Sequence, residues 1–546
     1  MEEAVIRADR YDRRSFLAVT GTALLSVAGG PHLRRRADHD LVVRNGTLFD
    51  GTGAGGRELD LAISAGRIAD IGPRLAARGR EEIDARGLAV APGFIDIHSH
   101  GDGNLTEDPR AESVVRQGVT TIVVGADGSS RATASLDHSF AAYFTGLDRL
   151  HPGPNVASMV GLGSLRAAVV GESDRPATLD EVRRMTEMVD RALTDGACGA
   201  SSGLEYTPGA FASLDELIAV CRPLARRGLP YATHMRNEDD RLLEAIDESL
   251  AVSRGAGCPL QISHLKTQGP RNWPKLDVVF KRIADARAAG VDAAWDWYPY
   301  VAYSTGLTNL FPVWSRDGGI NAFLARLDDA SVAPRIKQEA LAKVELIGGW
   351  DNVQISSVRA AEDRDAEGKR LGAHARARGI DPYDDAVTLL RRSNGNVGML
   401  GFAMGEATLE RILAHPLTTI CSDGGGFAVD GPTRRGSPHP RGAGTFPRVL
   451  GHYVRERKVI SLAEAIKKMT SMPAARVRLS DRGQLRQGFA ADVVVFDPAT
   501  IADTATFEMP FQYPVGVSAV IVNGVVTVRD GQRNASGAGR ALRATV

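Results

Sequence analysis

Eight short apolar segments recur through the middle of this chain. They lie at Phe94–Ile97, Thr120–Gly125, Val156–Val160, Gly199–Gly203, Pro230–Thr233, Leu260–Ser263, Ala293–Trp297 and Thr418–Cys421. Amphipathic helical stretches such as Leu179–Leu193, Leu214–Arg227 and Leu276–Ala289 separate most of them. Strands buried on both faces read as continuous apolar runs, and parallel neighbours need a helical crossover between them. Eight such units predict an α/β fold, a parallel (β/α)8 TIM barrel over residues 93–475. Its reactive side chains belong at the C-terminal ends of the strands. The seventh and eighth segments are far more widely spaced than the rest. Residues from about 310 to 380, helical and charged in texture, are expected to form an inserted lid subdomain.

Both chain ends have a different texture. Leu41–Asp50 alternates around Asn45-Gly46 and reads as a hairpin, and Leu61–Gly72 repeats the pattern. Ala491–Asp497 and Val517–Val528, the latter with Asn523-Gly524 inside, share this short-strand character. Residues 39–92 and 476–546 are therefore expected to make one small β-sandwich domain. Ahead of it, Arg13-Arg14-Ser15-Phe16-Leu17 leads into the weakly apolar run Ala18–Gly30, and Arg34-Arg35-Arg36 follows. That run falls short of the roughly 20 apolar residues a membrane-spanning helix needs. Residues 1–38 resemble a twin-arginine-type signal peptide and linker, which implies export to a periplasmic or extracellular location.

Lys+Arg and Asp+Glu both number 66, so nothing favours nucleic acid or an anionic membrane as a partner. Four cysteines without a Cys-x-x-Cys pair exclude a disulfide framework. The expected partner is a small-molecule substrate, with no stable membrane span and a monomer or small homo-oligomer as the assembly.

The strand ends carry the chemistry. The first ends in His98-Ser99-His100, and side chains two apart on a strand share one side. The second ends in Gly125-Ala126-Asp127-Gly128, the fifth in Thr233-His234, the sixth in Ser263-His264 and the eighth in Ser422-Asp423-Gly424. Barrel closure would bring these ends to one rim. Imidazole and carboxylate are natural zinc ligands, so His98, His100, His234, His264 and the terminal Asp423 are expected to form a metal site.

This constellation resembles the amidohydrolase superfamily, and within it the D-aminoacylases, or N-acyl-D-amino-acid deacylases. The narrower likeness rests on Gly203-Leu204-Glu205-Tyr206-Thr207-Pro208-Gly209, Thr233-His234-Met235-Arg236-Asn237-Glu238, His264-Leu265-Lys266, Tyr298-Pro299-Tyr300, Pro438-His439-Pro440-Arg441 and Gly444-Thr445-Phe446-Pro447-Arg448. Hydrolysis of N-acyl-D-amino acids to a carboxylic acid and a D-amino acid is what the resemblance implies. It also implies Zn2+ held tightly by Asp127, His234 and His264, with His98 and His100 framing a second, weaker divalent position. Asp423 would be the catalytic proton carrier. Arg441 would clamp the substrate carboxylate, with Lys266, Tyr206 and Ser304 as helpers, and Tyr298 would donate to the carbonyl oxygen. Arg434 and Arg435 rival Arg441, Glu205 is a second candidate bridge, and Asp102 reads as a turn residue.

One departure stands out. D-aminoacylases usually carry a metal-binding cysteine in a Gly-Asn-Cys-Gly segment after the second strand, where this chain has Asp127. As a ligand Asp127 would be harder than a thiolate, and the alternative reading of Asp127-Gly128 is a turn with no metal contact. Two other functions stay open: a cyclic-amide hydrolase of the dihydroorotase or hydantoinase kind, and a non-catalytic binding protein on the same scaffold. The fourth strand lacks the lysine that would favour the former.

Overall fold

The computed structural model describes residues 37–133, 139–534 and 537–545. Its strands and helices all belong to the compact unit Asp38–Val546. The export-signal reading falls outside the described residues.

Eight strands form the barrel: β1 (Phe94–Asp96), β2 (Val119–Val124), β3 (Asn155–Ser158), β4 (Ala200–Gly203), β5 (Tyr231–His234), β6 (Leu260–Ile262), β7 (Ala293–Trp297) and β8 (Thr418–Ile420). β1 to β3 pair in parallel, as do β4 to β8. Backbone bonds join the two groups. Cys198 N donates to Ser158 O, and on the other side Asp423 N donates to His98 O, each at 2.9 Å. The ends of β8 and β1 are therefore tied at the residues that carry chemistry.

The helices follow from local signals. Leu179–Thr194 opens on a capping box, Thr178 with Glu181, and buries Met185, Val189, Ala192 and Leu193 on one face. A Val, Leu or Met side chain contributes about 1.5–3 kcal/mol on burial. At the barrel's base Phe94 is fully buried and stacks on Phe446 with ring centroids 5.6 Å apart.

Strands from both chain ends enter one nine-stranded sheet. Its own apolar core includes Leu41, Ile63, Val90, Val493 and Ile521. The two Asn-Gly pairs have different fates. Asn523-Gly524 turns between Val517–Val522 and Val525–Arg529. Asn45-Gly46 makes no hairpin: it sits inside the single strand His39–Leu48, where the register shifts between Val43 and Gly46. The left-handed Asn45 (φ 60°) is absorbed as a bulge. A Cβ on Gly46 would come within 2.4 Å of Val90 Cγ2, so the close approach of that neighbouring strand selects glycine.

Between β7 and β8 lies a three-stranded antiparallel sheet, with Val397–Phe402 between Ala302–Gly306 and Val353–Val358. Helix Ala333–Leu346 belongs to the same stretch and carries Lys343 to the barrel mouth. No helix among the described residues is long and apolar enough to cross a membrane.

Candidate metal centre and active site

A cavity of about 710 Å³ opens at the C-terminal ends of the strands, and His100, Asp127, His234, His264 and Asp423 line it. Asp127 is its midpoint. Its Oδ2 lies 3.4 Å from His98 Nε2, His100 Nε2 and His264 Nε2, and 3.9 Å from His234 Nδ1. Asp423 Oδ1 stands 3.1 Å from His100 Nε2 and 3.5 Å from His98 Nε2. His234 Nδ1 and His264 Nε2 face each other at 3.0 Å. The six expected ligands thus meet in one place, contributed by β5 and by the loops after β1, β2, β6 and β8.

The backbone is bent to achieve this. Asp127, His264 and Asp423 all have positive φ, at 49°, 35° and 50°. Such conformations cost non-glycine residues free energy and cluster at functional sites. Gly203 lets the Asp127 loop close in, since a Cβ there would meet Asp127 O at 2.2 Å.

The donor set fits a divalent ion. His98 Nε2 and Asp127 Oδ1 are buried without a hydrogen-bond partner. Most of the imidazole–carboxylate separations exceed the roughly 2.7–2.9 Å of a charge-assisted hydrogen bond. They match instead the edge of a tetrahedron with arms of about 2.0–2.1 Å, which is about 3.3–3.4 Å. His98, Asp127, His264 and Asp423 place one ligand atom each within 4.8 Å of one another, and so do His234, Glu238 and His264.

Charge follows the geometry. Burial raises the Asp127 carboxyl, but His98 and His264 overrule it and hold the group well below the usual carboxylate range. Burial likewise opposes the ionised Asp423, and Arg441 with the histidines outweighs it, so Asp423 also stays well below that range. Burial lowers His100, yet its bonds to Asp127 and Asp423 push it up to about 9. A site that favours protons on its imidazoles favours any cation that replaces them.

Sequence reasoning missed two carboxylates. Asp296, the acid in the otherwise apolar β7, lies 3.3 Å from His98 Nδ1 and accepts a 2.7 Å bond from His264 N. Glu238, four residues beyond His234, lies 3.1 Å from His264 Nδ1 and accepts from Lys266 Nζ at 2.8 Å. An Nδ1–H bonded to a carboxylate leaves Nε2 as the lone-pair donor, which is how metal-binding imidazoles are oriented. An ionisable residue inside an apolar strand was the available signal for Asp296. Glu238 offered none beyond its spacing. Glu205, a candidate bridge, instead lies behind His234, 3.4 Å from its Nε2. Asp102 sits in the 3₁₀ turn Gly101–Gly103.

The expected substrate groups divide. Arg441 is buried, with Nη1 2.6 Å from Asp423 Oδ2 and its guanidinium 4.7 Å above the Tyr298 ring. Apart from this ion pair Arg441 Nη1 has no hydrogen-bond partner, and Tyr298 Oη is buried without one. Tyr206 and Ser304 line the cavity. Lys266, expected beside the substrate, is instead buried against Glu238 and 2.6 Å from His264 Nδ1. Arg435 turns to Glu107, and Arg434 lies over Phe511.

The comparisons with known proteins agree with this geometry. The family model described as "Amidohydrolase family" matches residues 81–528. The D-aminoacylase of Alcaligenes xylosoxydans xylosoxydans is 37% identical, over 93% of this chain and 98% of that protein. The N-acyl-D-aspartate deacylase of the same organism is 39% identical, over 91% of this chain and 93% of its own. The crystal structure of Bordetella bronchiseptica N-acyl-D-glutamate deacylase, with zinc and a phosphonate mimic of the tetrahedral intermediate, superposes with a TM-score of 0.79. It is 36% identical, and the match covers 93% of this chain and 100% of its own. With the site geometry and these full-length likenesses together, the chain belongs to the amidohydrolase family, in its D-aminoacylase and N-acyl-D-amino-acid deacylase branch.

Proposed function

We propose that this protein hydrolyses the amide bond of N-acyl-D-amino acids, releasing a carboxylic acid and a D-amino acid. The observation that carries the reading is the convergence of four imidazoles on one Asp127 oxygen at the mouth of the cavity. Asp127, His234 and His264 would hold zinc tightly, and His98, His100 and Asp423 would frame a second, weaker divalent position. When bound, a divalent ion supplies Lewis acidity, making hydroxide available near neutral pH and drawing electron density from an acyl oxygen.

The remaining work falls to the chain's own groups. Asp423, kept ionised, accepts the proton of the attacking water and passes it to the departing nitrogen. Without that proton the leaving group would be an amide anion. Tyr298, whose hydroxyl burial pushes well above its ordinary range, keeps its proton and donates to the acyl oxygen. Arg441, paired with Asp423 through Nη1, turns the rest of its guanidinium to the substrate's α-carboxylate, and Tyr206 and Ser304 flank that group. The Arg441–Asp423 contact then joins substrate binding to the proton carrier.

The domain reading belongs to the same proposal. Residues 39–92 and 476–546 form a β-sandwich, 93–475 the barrel, and about 310–380 a lid, which the position of Lys343 at the cavity supports. Export by a twin-arginine-type signal to a periplasmic or extracellular location rests on Arg13-Arg14 and the weakly apolar run after it. The protein works on a small molecule as a monomer or small homo-oligomer.

The test is a panel of N-acetyl-D- and N-acetyl-L-amino acids with zinc-loaded protein. Release of D-amino acids only is expected. Cleavage confined to L-substrates or to cyclic amides overturns the proposal.

A further inference from the structure

We infer that the cavity accepts a single substrate carboxylate, so that N-acyl amino acids with uncharged side chains are its substrates and those with acidic side chains are not. The inference rests on the deacylase reading above and names the substrate class within it.

Among the described residues, four cations line the cavity: Lys266, Lys343, Arg435 and Arg441. Three have their donors engaged in hydrogen bonds to protein acids. Lys266 is buried and donates to Glu238 at 2.8 Å. Lys343 is paired with Asp239 and has Glu205 3.9 Å away on its other side. Two carboxylates around one ammonium leave an excess of negative charge there. Arg435 makes two bonds to Glu107, at 3.0 and 2.9 Å, and a third to Asn104 at 3.2 Å, at the exposed rim. Arg441 is ion-paired as well, with Asp423, but it alone among the four makes no side-chain hydrogen bond within the described residues.

The α-carboxylate takes that guanidinium. A second carboxylate on the side chain would enter a space whose remaining lysines carry their own acids, with Glu205 adding repulsion. Burying an unmatched anion is costly, and discrimination is strongest where the wrong ligand is left unpaired. The lining also includes the small, uncharged Gly163, Ser164, Ala167, Thr207 and Pro208. These suit an uncharged side chain.

The experiment measures kcat/KM of the zinc-loaded wild-type protein for N-acetyl-D-leucine, -methionine, -aspartate and -glutamate. The acidic pair is expected to fall about 100-fold below the neutral pair. Acidic substrates within about ten-fold of the neutral ones, or faster, overturn the inference while the deacylase reading stands. No D-amino acid released from any of the four removes that reading and the inference with it. A variant tests the cause. Asp239→Asn frees Lys343, and the acidic-to-neutral ratio should then rise about ten-fold. An unchanged ratio in folded protein overturns the neutralisation of Lys343 as the reason.

Discussion

The two histidine pairs of the metal centre are built differently, although both look at the same Asp127 oxygen. His234 and His264 come from two strands, are 5% and 2% exposed, and have carboxylates behind their far nitrogens, Glu205 and Glu238 respectively. His98 and His100 come from one strand end. His98 is buried with Asp296 behind it, but the His100 side chain is 40% exposed and has no carboxylate at Nδ1 among the described residues. Carboxylate partners orient an imidazole and raise its basicity. The cross-strand pair is therefore a pre-set, enclosed grip. The His-x-His pair has one fixed ring and one that faces the open cavity. An enclosed grip holds an ion; an open one leaves room for substrate.

The largest way to break the comparison is to remove what the pairs share. Asp127→Ala should strip metal from both sides, leaving well under one ion per chain by elemental analysis, and should abolish turnover. A variant that keeps a full ion would show that the pairs do not depend on a common ligand. Asp423→Asn should keep the tight ion yet lower kcat by about 10²–10⁴-fold. Wild-type rates there would remove Asp423 as the proton carrier.

Smaller changes sharpen the difference. Glu238→Gln should weaken the tighter ion by about 10–100-fold in a chelator competition. Asp296→Asn should act by a similar factor on the weaker ion and less on the tighter one, whose ligand His264 it touches only through the backbone. Equal effects of both on both ions would erase the distinction. The mildest test is pH. His100, at about 9, must lose its proton to bind metal, so occupancy of the weaker position should fall as pH drops from about 9 toward about 6.5. In chelator-treated protein the sign reverses. The raised His100 contributes stability that is complete below about 6.5 and is lost as pH rises through about 9, so the melting temperature should decline across that window. A flat profile would mean that Asp127 and Asp423 do not hold His100 protonated in the metal-free chain.

Much of this was legible in the chain. All eight barrel strands fall at the segments expected, because a strand's apolar run and the turn after it are local properties. His98, His100, Asp127, His234, His264 and Asp423 were readable for the same reason: each stands at or just beyond a strand end, and a closed barrel sends all such ends to one rim. The Asn45-Gly46 pair misled, since a dipeptide that permits a hairpin also permits a bulge. What chose between them was Val90 on a neighbouring strand.

The sequence by itself determined the barrel strands, the six candidate ligands at their ends and the neutral overall charge. Only the tertiary structure decided what stands behind each ligand. Glu238 under His264, Asp296 under His98, Lys266 spent on Glu238 and Arg441 beside Asp423 are all pairings between different strand ends and loops. Strand periodicity says which way a side chain points, and barrel closure says which rim it reaches. Neither says which charge it meets there. That depends on the last few ångströms of packing, where burial makes every unpaired charge expensive and selects the pairs that remain.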